Sequence, residues 1–450
     1  MTALEISRSV IGRLHRVASR GSHHRALTAA LGRERLDCAV QRTGKMRSPW
    51  RIMRRNDRST ADLASRWGGS SRVSPIACWF GLPSVEAWPT FLSMVGHWGR
   101  PMGHVGVEAA TKFLSEEEQY VRVIALEEHF TAPGIAGQID REAISRRGIM
   151  PRLVVPEGQN PAELAPDLGA GRLRLMDESG ITMQVLSNTG PGPDLVPGTS
   201  GVAMARAMND YLAEAVARHP DRFAGFAVLP MCSPDETTVE LTRAVKDLGF
   251  VGALVNGTTE ARFLDDECYD GLLAQAAVLD VPIYIHPHLA PEAVRQAYFS
   301  GLEQGASRIL ETAGWGWHAE TALHVLRLVL SGALDRHRSL KLIIGHMGEM
   351  LPMMLARADD YIERAIDHLQ RPVRQTILDQ VWITTSGIFT EPPFLAALLT
   401  FGIDRIMFSV DYPYSSNANG RAFLDRISLS PADMAKLTHG NAESLLRLNR

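Results

Sequence analysis

Cysteine is scarce and scattered in this chain. The 450 residues hold four, Cys38, Cys78, Cys232 and Cys268, and no two of them form a CxxC pair. That spacing argues against a thiolate zinc site and a disulfide framework, and it fits a reducing cytosol. No segment reaches the roughly 18–20 uninterrupted apolar residues of a membrane span, so a cytoplasmic protein without membrane contact is expected. No GxGxxG or Walker-type glycine loop follows the first apolar strand, which weakens a nucleotide-binding open sheet. Acidic residues are sparse at one end only. Residues 1–120 carry 18 Lys+Arg and 10 Asp+Glu, a net of +8, and the remaining residues carry 29 and 40, a net of -11.

The first 120 residues also lack periodicity. Neither a 3.6- nor a 2.0-residue apolar repeat persists across them. Five of the eight tryptophans (Trp50, Trp67, Trp79, Trp88, Trp98) lie there without repeat spacing. The Arg- and Ser-rich start loosely fits a transit peptide, but the apolar region and cleavage site of a secretory signal are missing. Basic residues with aromatics can touch nucleic acid, yet no RNP, zinc-finger or homeodomain pattern occurs, so no nucleic-acid partner is expected. Residues 1–120 therefore read as a basic, poorly ordered extension, and 121–450 as the folded domain.

From residue 121 the pattern changes. Apolar, β-branched runs recur at 122–126, 182–187, 223–229, 251–255, 281–285, 340–345, 381–385 and 405–410. Helix-period segments separate most of them, for example 203–218, 236–248 and 320–333. Short continuous apolar strands alternating with helices indicate a parallel sheet covered on both faces. Eight such units predict an α/β fold, a (β/α)₈ TIM barrel of the metal-dependent hydrolase type with an irregular N-terminal extension. A doubly wound open sheet is the second choice.

Chemistry-bearing residues then fall at strand ends. The first strand runs into Glu127-Glu128-His129, the fifth ends at His286, the sixth at His346 and Glu349, and the eighth at Asp411. In a barrel those ends meet at one mouth. Residues i and i+2 of a strand share a face, so Glu127 and His129 are expected to point inward and Glu128 away. A lone strand-end histidine is usually a hydrogen-bonded structural residue. Several acids and imidazoles at one mouth are different, because a buried carboxylate is costly until a cation or donors neutralise it. Imidazole with carboxylate suits zinc, manganese or iron. His346 reads either as a ligand or as a proton shuttle whose tautomer is set by Glu349. In Gly314-Trp315-Gly316-Trp317-His318-Ala319-Glu320, the two tryptophans read as core, and Arg327 as half of a structural ion pair.

The segments ALEEHF, IHP, GWGWHAETALHVLRL, IIGHMGEMLP, FSVDYPYSS and HGNAESLLRL together resemble the amidohydrolase-related family that contains aminocarboxymuconate semialdehyde decarboxylase, and within it the gamma-resorcylate and hydroxybenzoate-type decarboxylases. The resemblance covers about 121–448. It implies a (β/α)₈ barrel binding one divalent ion, zinc or manganese, through Glu127, His129, His286 and Asp411. It further implies Asp411 as proton donor and His346 with Glu349 as a catalytic pair. By analogy it implies a homo-oligomer, dimer or tetramer. The chain departs from the family at Pro287-His288, where His-Pro-Arg is usual, and at the SNTGPGP segment after the second strand, both near the substrate mouth.

Three readings follow. In the preferred one, a hydroxy-aromatic or related enol carboxylic acid is decarboxylated without oxidation, with the ion as template and charge sink and Asp411 as carbon acid. In the second, an ion-bound water hydrolyses an amide, ester or lactone. In the third, the barrel binds metal without catalysis and docks a partner. No organic cofactor is required by any motif.

Overall fold

The computed structural model describes residues 122–147, 160–188 and 190–448. The basic extension expected over 1–120 lies outside the described residues. The strands are β1 (Ile124–Phe130), β2 (Met183–Asn188), β3 (Phe223–Gly225), β4 (Ala253–Asn256), β5 (Pro282–His286), β6 (Lys341–Ile344), β7 (Val381–Thr384) and β8 (Ile406–Met407). All eight expected strands are present. The principal helices, numbered by the strand each follows, are α1 (Ala170–Glu178), α2 (Gly198–Arg218), α3 (Pro234–Lys246), α4 (Asp270–Leu279), α5 (Gly316–Leu330), α6 (Val373–Gln380), α7 (Glu391–Phe401) and α8 (Asn417–Arg426).

Pairing is parallel throughout, in the orders β1-β2-β3 and β4-β5-β6-β7-β8. Two single bridges join the two sheets: Ala227 to Ala253 links β3 to β4, and Leu126 to Ser409 links β8 back to β1. The ring is thereby closed. β3 and β8 are shorter than their apolar runs. Past Gly225 only Ala227 keeps a bridge, and Phe408 N turns to Leu437 O at 2.9 Å.

Two apolar layers hold this arrangement. Inside the barrel, Ile124, Leu126, Val185, Phe226, Tyr284 and Ile343 pack together with Leu445 and Leu446 of the C-terminal helix Asn441–Leu446. Outside it, alternate strand residues such as Ala125, Ile283, Leu342 and Ile383 pack on Leu212, Leu241, Val325 and Ile377 of the helices. A strand covered on both faces has no polar face, which explains the unbroken apolar runs. The barrel floor is thus filled by apolar side chains.

Candidate metal centre and active site

β1 does not reach the mouth as a regular strand. Its register with β2 shifts between Ala125 and Glu128, and Glu127 takes a φ of 60°. This bulge re-aims Glu127. Its Oε2 accepts from Tyr284 OH and Ser386 Oγ, and Tyr284 OH and Thr384 Oγ1 lie 2.9 Å apart. With Oε2 so occupied, Oε1 is left 3.4 Å from His286 Nε2 and 3.9 Å from His346 Nδ1. Gly345 leaves room for this carboxylate, since a Cβ there would stand 2.5 Å from Glu127 Oε2.

His129 Nδ1 lies 3.1 Å from Ser187 Oγ, and this contact turns Nε2 into the mouth, 3.1 Å from Asp411 Oδ1. The backbone carbonyl of His129 accepts from Arg172, a fully buried guanidinium 4.6 Å above the Tyr412 ring. Ligand atoms of Glu127, His129, His286 and Asp411 all fall within 4.8 Å of one another. The His129 and His286 rings meet edge-on at 4.8 Å. Beside them, His346 Nε2 lies 3.8 Å from Asp411 Oδ2, and its Nδ1 3.1 Å from Glu349 Oε1.

Electrostatics favour a cation here. Burial pushes the Glu127 carboxyl above its ordinary range, although His346 and His129 pull it down. Burial and then His129 hold the His286 imidazole well below its usual value, in the neutral form that ligates metals. Burial also works against charge on Asp411, but His129 and His346 outweigh it and hold that carboxyl well below the carboxylate range. For His346, burial is overcome by Glu349 and Glu127, which keep the ring charged. Glu127 Oε1 and His129 Nε2 are buried and lack hydrogen-bond partners, yet both face this cluster. Two carboxylates and two imidazoles, with one oxygen and one ring nitrogen among them orphaned, fit a divalent ion.

The structure brings together all six residues that the sequence singled out. The register shift in β1 breaks regular alternation, yet Glu127 and His129 both present donors to the cluster, as expected. Glu128, expected to point away, stands outside that cluster. It is fully buried and accepts from Val410 N at 2.8 Å, Ser409 Oγ at 3.2 Å and Gln184 Nε2 at 3.3 Å. Burial raises its carboxyl to about 8 against those donors. Trp315 is not core but 52% exposed, and His318 bonds to Glu349. The Arg327 ion pair is present, with Asp265 at 2.8 Å. Sequence reasoning missed Tyr284, Ser386 and Ser187. The signal for Tyr284 was its position two before His286, on the same strand face.

A cavity of about 390 Å³ opens beyond the ends of β2 to β5, lined by Asp194, Cys232, Thr259, His288, Glu292 and Arg295 among others. His288, at one of the two departures from the family pattern, is thus a cavity wall.

A closed eight-stranded parallel barrel with Glu, His, His and Asp converging at its mouth is the arrangement of a metal-dependent barrel enzyme. The chain belongs to the amidohydrolase family, which matches residues 129–448. It is 37% identical over 335 residues to the decarboxylase orsB of Emericella nidulans, covering 73% of this chain and 97% of that one. It is 36% identical over 338 residues to a gamma-resorcylate decarboxylase of Polaromonas sp., covering 73% and 99%. Among solved structures it resembles a dihydroxybenzoic acid decarboxylase from Polaromonas sp. holding manganese and the inhibitor 2-nitroresorcinol, with a TM-score of 0.63 at 34% identity over 73% and 98% of the two chains. The chain is a metal-dependent carboxy-lyase that acts without oxidation, the reaction class of the first reading. Among the described residues no helix is long and apolar enough to cross a membrane.

Proposed function

We propose that the substrate is a benzoic acid with a hydroxyl ortho to the carboxylate, 2,6-dihydroxybenzoate or a ring-substituted relative. We assign Glu127, His129, His286 and Asp411 as the ligands of one divalent ion, manganese in preference to zinc because the hard carboxylate donors equal the imidazoles. The observation that carries this reading is the single cluster of four donors with two orphaned buried atoms. Bound there, the ion supplies positive charge that orients the carboxylate and its neighbouring oxygen and offsets charge developing during bond cleavage.

The chain's own residues handle the proton. The reaction consumes one proton per carbon dioxide released. His346 Nε2 faces Asp411 Oδ2 at 3.8 Å, so a proton passes from that ring to Asp411 and then to the carbon bearing the carboxylate. Glu349 holds Nδ1 of His346 and thereby aims Nε2. The C–C bond then breaks, its electrons restore the aromatic ring, and carbon dioxide leaves.

Cys232 and Cys268 form no disulfide, which agrees with a cytoplasmic enzyme. Met353 and Met354 of the helix Leu351–Glu363, and Leu395 and Leu399 of α7, are exposed on contacting helices and support self-association.

The test is a substrate screen with manganese-loaded protein in heavy water. The expected result is carbon dioxide release from ortho-hydroxybenzoates, with one deuteron on the vacated carbon. Lactone opening without carbon dioxide would overturn it.

A further inference from the structure

The stretch Gly314-Trp315-Gly316-Trp317-His318 enters α5, and neither the donor cluster nor the barrel interior uses it. Its glycines stand where a side chain would strike backbone. A Cβ on Gly314 would lie 2.6 Å from Ile309 O, and one on Gly316 2.4 Å from Glu311 O. This close crossing sets His318 in the first turn of α5, against the segment that follows β6. There His318 Nδ1 lies 2.5 Å from Glu349 Oε2, and its Nε2 lies 3.0 Å from Ala313 O. The rings of His318 and His346 are 4.9 Å apart. A fully buried carboxylate is therefore held between two imidazoles, one on each oxygen.

The hydrogen inventory makes this contact specific. A carbonyl only accepts, so Nε2 of His318 donates to Ala313. Nδ1 then meets the carboxylate, and the two groups share one further proton in a charge-assisted bond, the stronger kind. Burial would raise the Glu349 carboxyl, but His346 and His318 together hold it below the usual range. These three side chains could also be imagined around a second ion. The 2.5 Å separation speaks for a hydrogen bond instead, because ligands about 2.0–2.2 Å from one ion stand farther apart than that.

We propose that His318 is a positioning residue for the decarboxylation. It pins Glu349 Oε2, which leaves Oε1 to hold His346 Nδ1 and keeps Nε2 of that ring on Asp411. The inference rests on the reading of His346 and Glu349 as the proton-handling pair. It absorbs the Gly-Trp-Gly-Trp-His motif, whose glycines exist to deliver the histidine.

The test compares His318→Leu and His318→Asn in the full chain. Asn sets an amide N–H near the position of Nδ1, whereas Leu fills the volume better and donates nothing. In the leucine variant kcat should fall about 10–100-fold, the range for groups that orient others at a metal site, with KM and metal content unchanged. Asn should recover most of the rate. A role in packing alone would reverse the order of the two. Nitrogen NMR of zinc-loaded, [15N]histidine-labelled protein adds a readout that needs no turnover. The His346 Nδ1 resonance should lose its hydrogen-bonded shift with Leu and keep it with Asn. An unmoved resonance with normal kcat in the leucine variant, or Asn no better than Leu, would overturn the assignment. A wild type that releases no carbon dioxide would instead strike the proposed substrate, while the His346 resonance would still decide the role of His318.

Discussion

Four side chains at this site sit on backbone that non-glycine residues avoid: Glu127 at φ 60°, His346 at 49°, Glu349 at 58° and Asp411 at 69°. Such conformations cost about 1–3 kcal/mol each and persist only where surrounding contacts over-determine them. Here the contacts are visible. Glu127 is gripped by two hydroxyls, and Asp411 lies between Val410 and Tyr412, whose N–H groups both reach Glu128, at 2.8 and 3.4 Å. Asp411→Asn preserves this backbone and one oxygen donor but carries no transferable acid proton. We expect it to retain part of its metal while turnover falls by about 10²–10⁴-fold, the range of general acid catalysis. Deuterium incorporation at the vacated carbon should vanish with it. Near-normal turnover in that variant would remove Asp411 as carbon acid. Gly345→Ala probes the same centre from the side. Its Cβ would meet Glu127 Oε2 at 2.5 Å, so elemental analysis should show metal well below one ion per chain.

At the scale of elements, the long apolar runs made the barrel legible, because strands covered on both faces need no polar alternation. Their lengths were not. The run from Phe223 predicts seven residues of strand, and three are paired, because the chain past Gly225 meets β4 only at Ala227. The bulge in β1 was likewise invisible, since nothing in Leu126-Glu127-Glu128 marks a positive φ. The hydroxyls that orient Glu127 and His129 come from β2, β5 and the segment after β7, far in sequence from the residues they serve, and only the closed ring brings them near. α5 offers a test of electrostatics away from the centre. His324 is fully buried, accepts from Leu264 N at 2.9 Å, and is pushed down to about 3 by burial and then by Arg327. The unfolded histidine titrates near 6.5. Between about 6.5 and 3 the unfolded chain therefore binds a proton that the folded one refuses. Stability from this group is complete above about 6.5 and lost as the pH falls. His324→Gln can still accept from Leu264 N and does not titrate. Denaturant melts should show the wild type losing more stability than the variant between pH 7 and pH 5, and equal losses would exclude the coupling.

For the whole molecule the question is how the barrel relates to residues 1–120. The relatives are matched over 97–99% of their length by 73% of this chain, so a barrel of this kind closes without such a segment. The closing contacts agree. β1 is bonded to β2 on one side and bridged to Ser409 on the other, and Leu445 and Leu446 plug the interior from the C-terminal end of the chain. Each side of β1 is therefore occupied by the barrel itself. Deleting residues 1–118 should leave a protein with one metal ion per chain, unchanged kcat and an unchanged melting temperature. Metal should dominate that temperature in both forms. An ion at about 100 times its dissociation constant stabilises the folded state by about 2.7 kcal/mol, and here it would also relieve the buried charge of Glu127. Chelation should thus lower the melting temperature of the full chain and of the truncated chain by the same amount. A larger loss in the truncated protein would mean that the basic segment supports the metal mouth, with its net charge of +8 set against the -11 of the remainder. Aggregation of the truncated chain with metal present would mean that the segment is part of the fold.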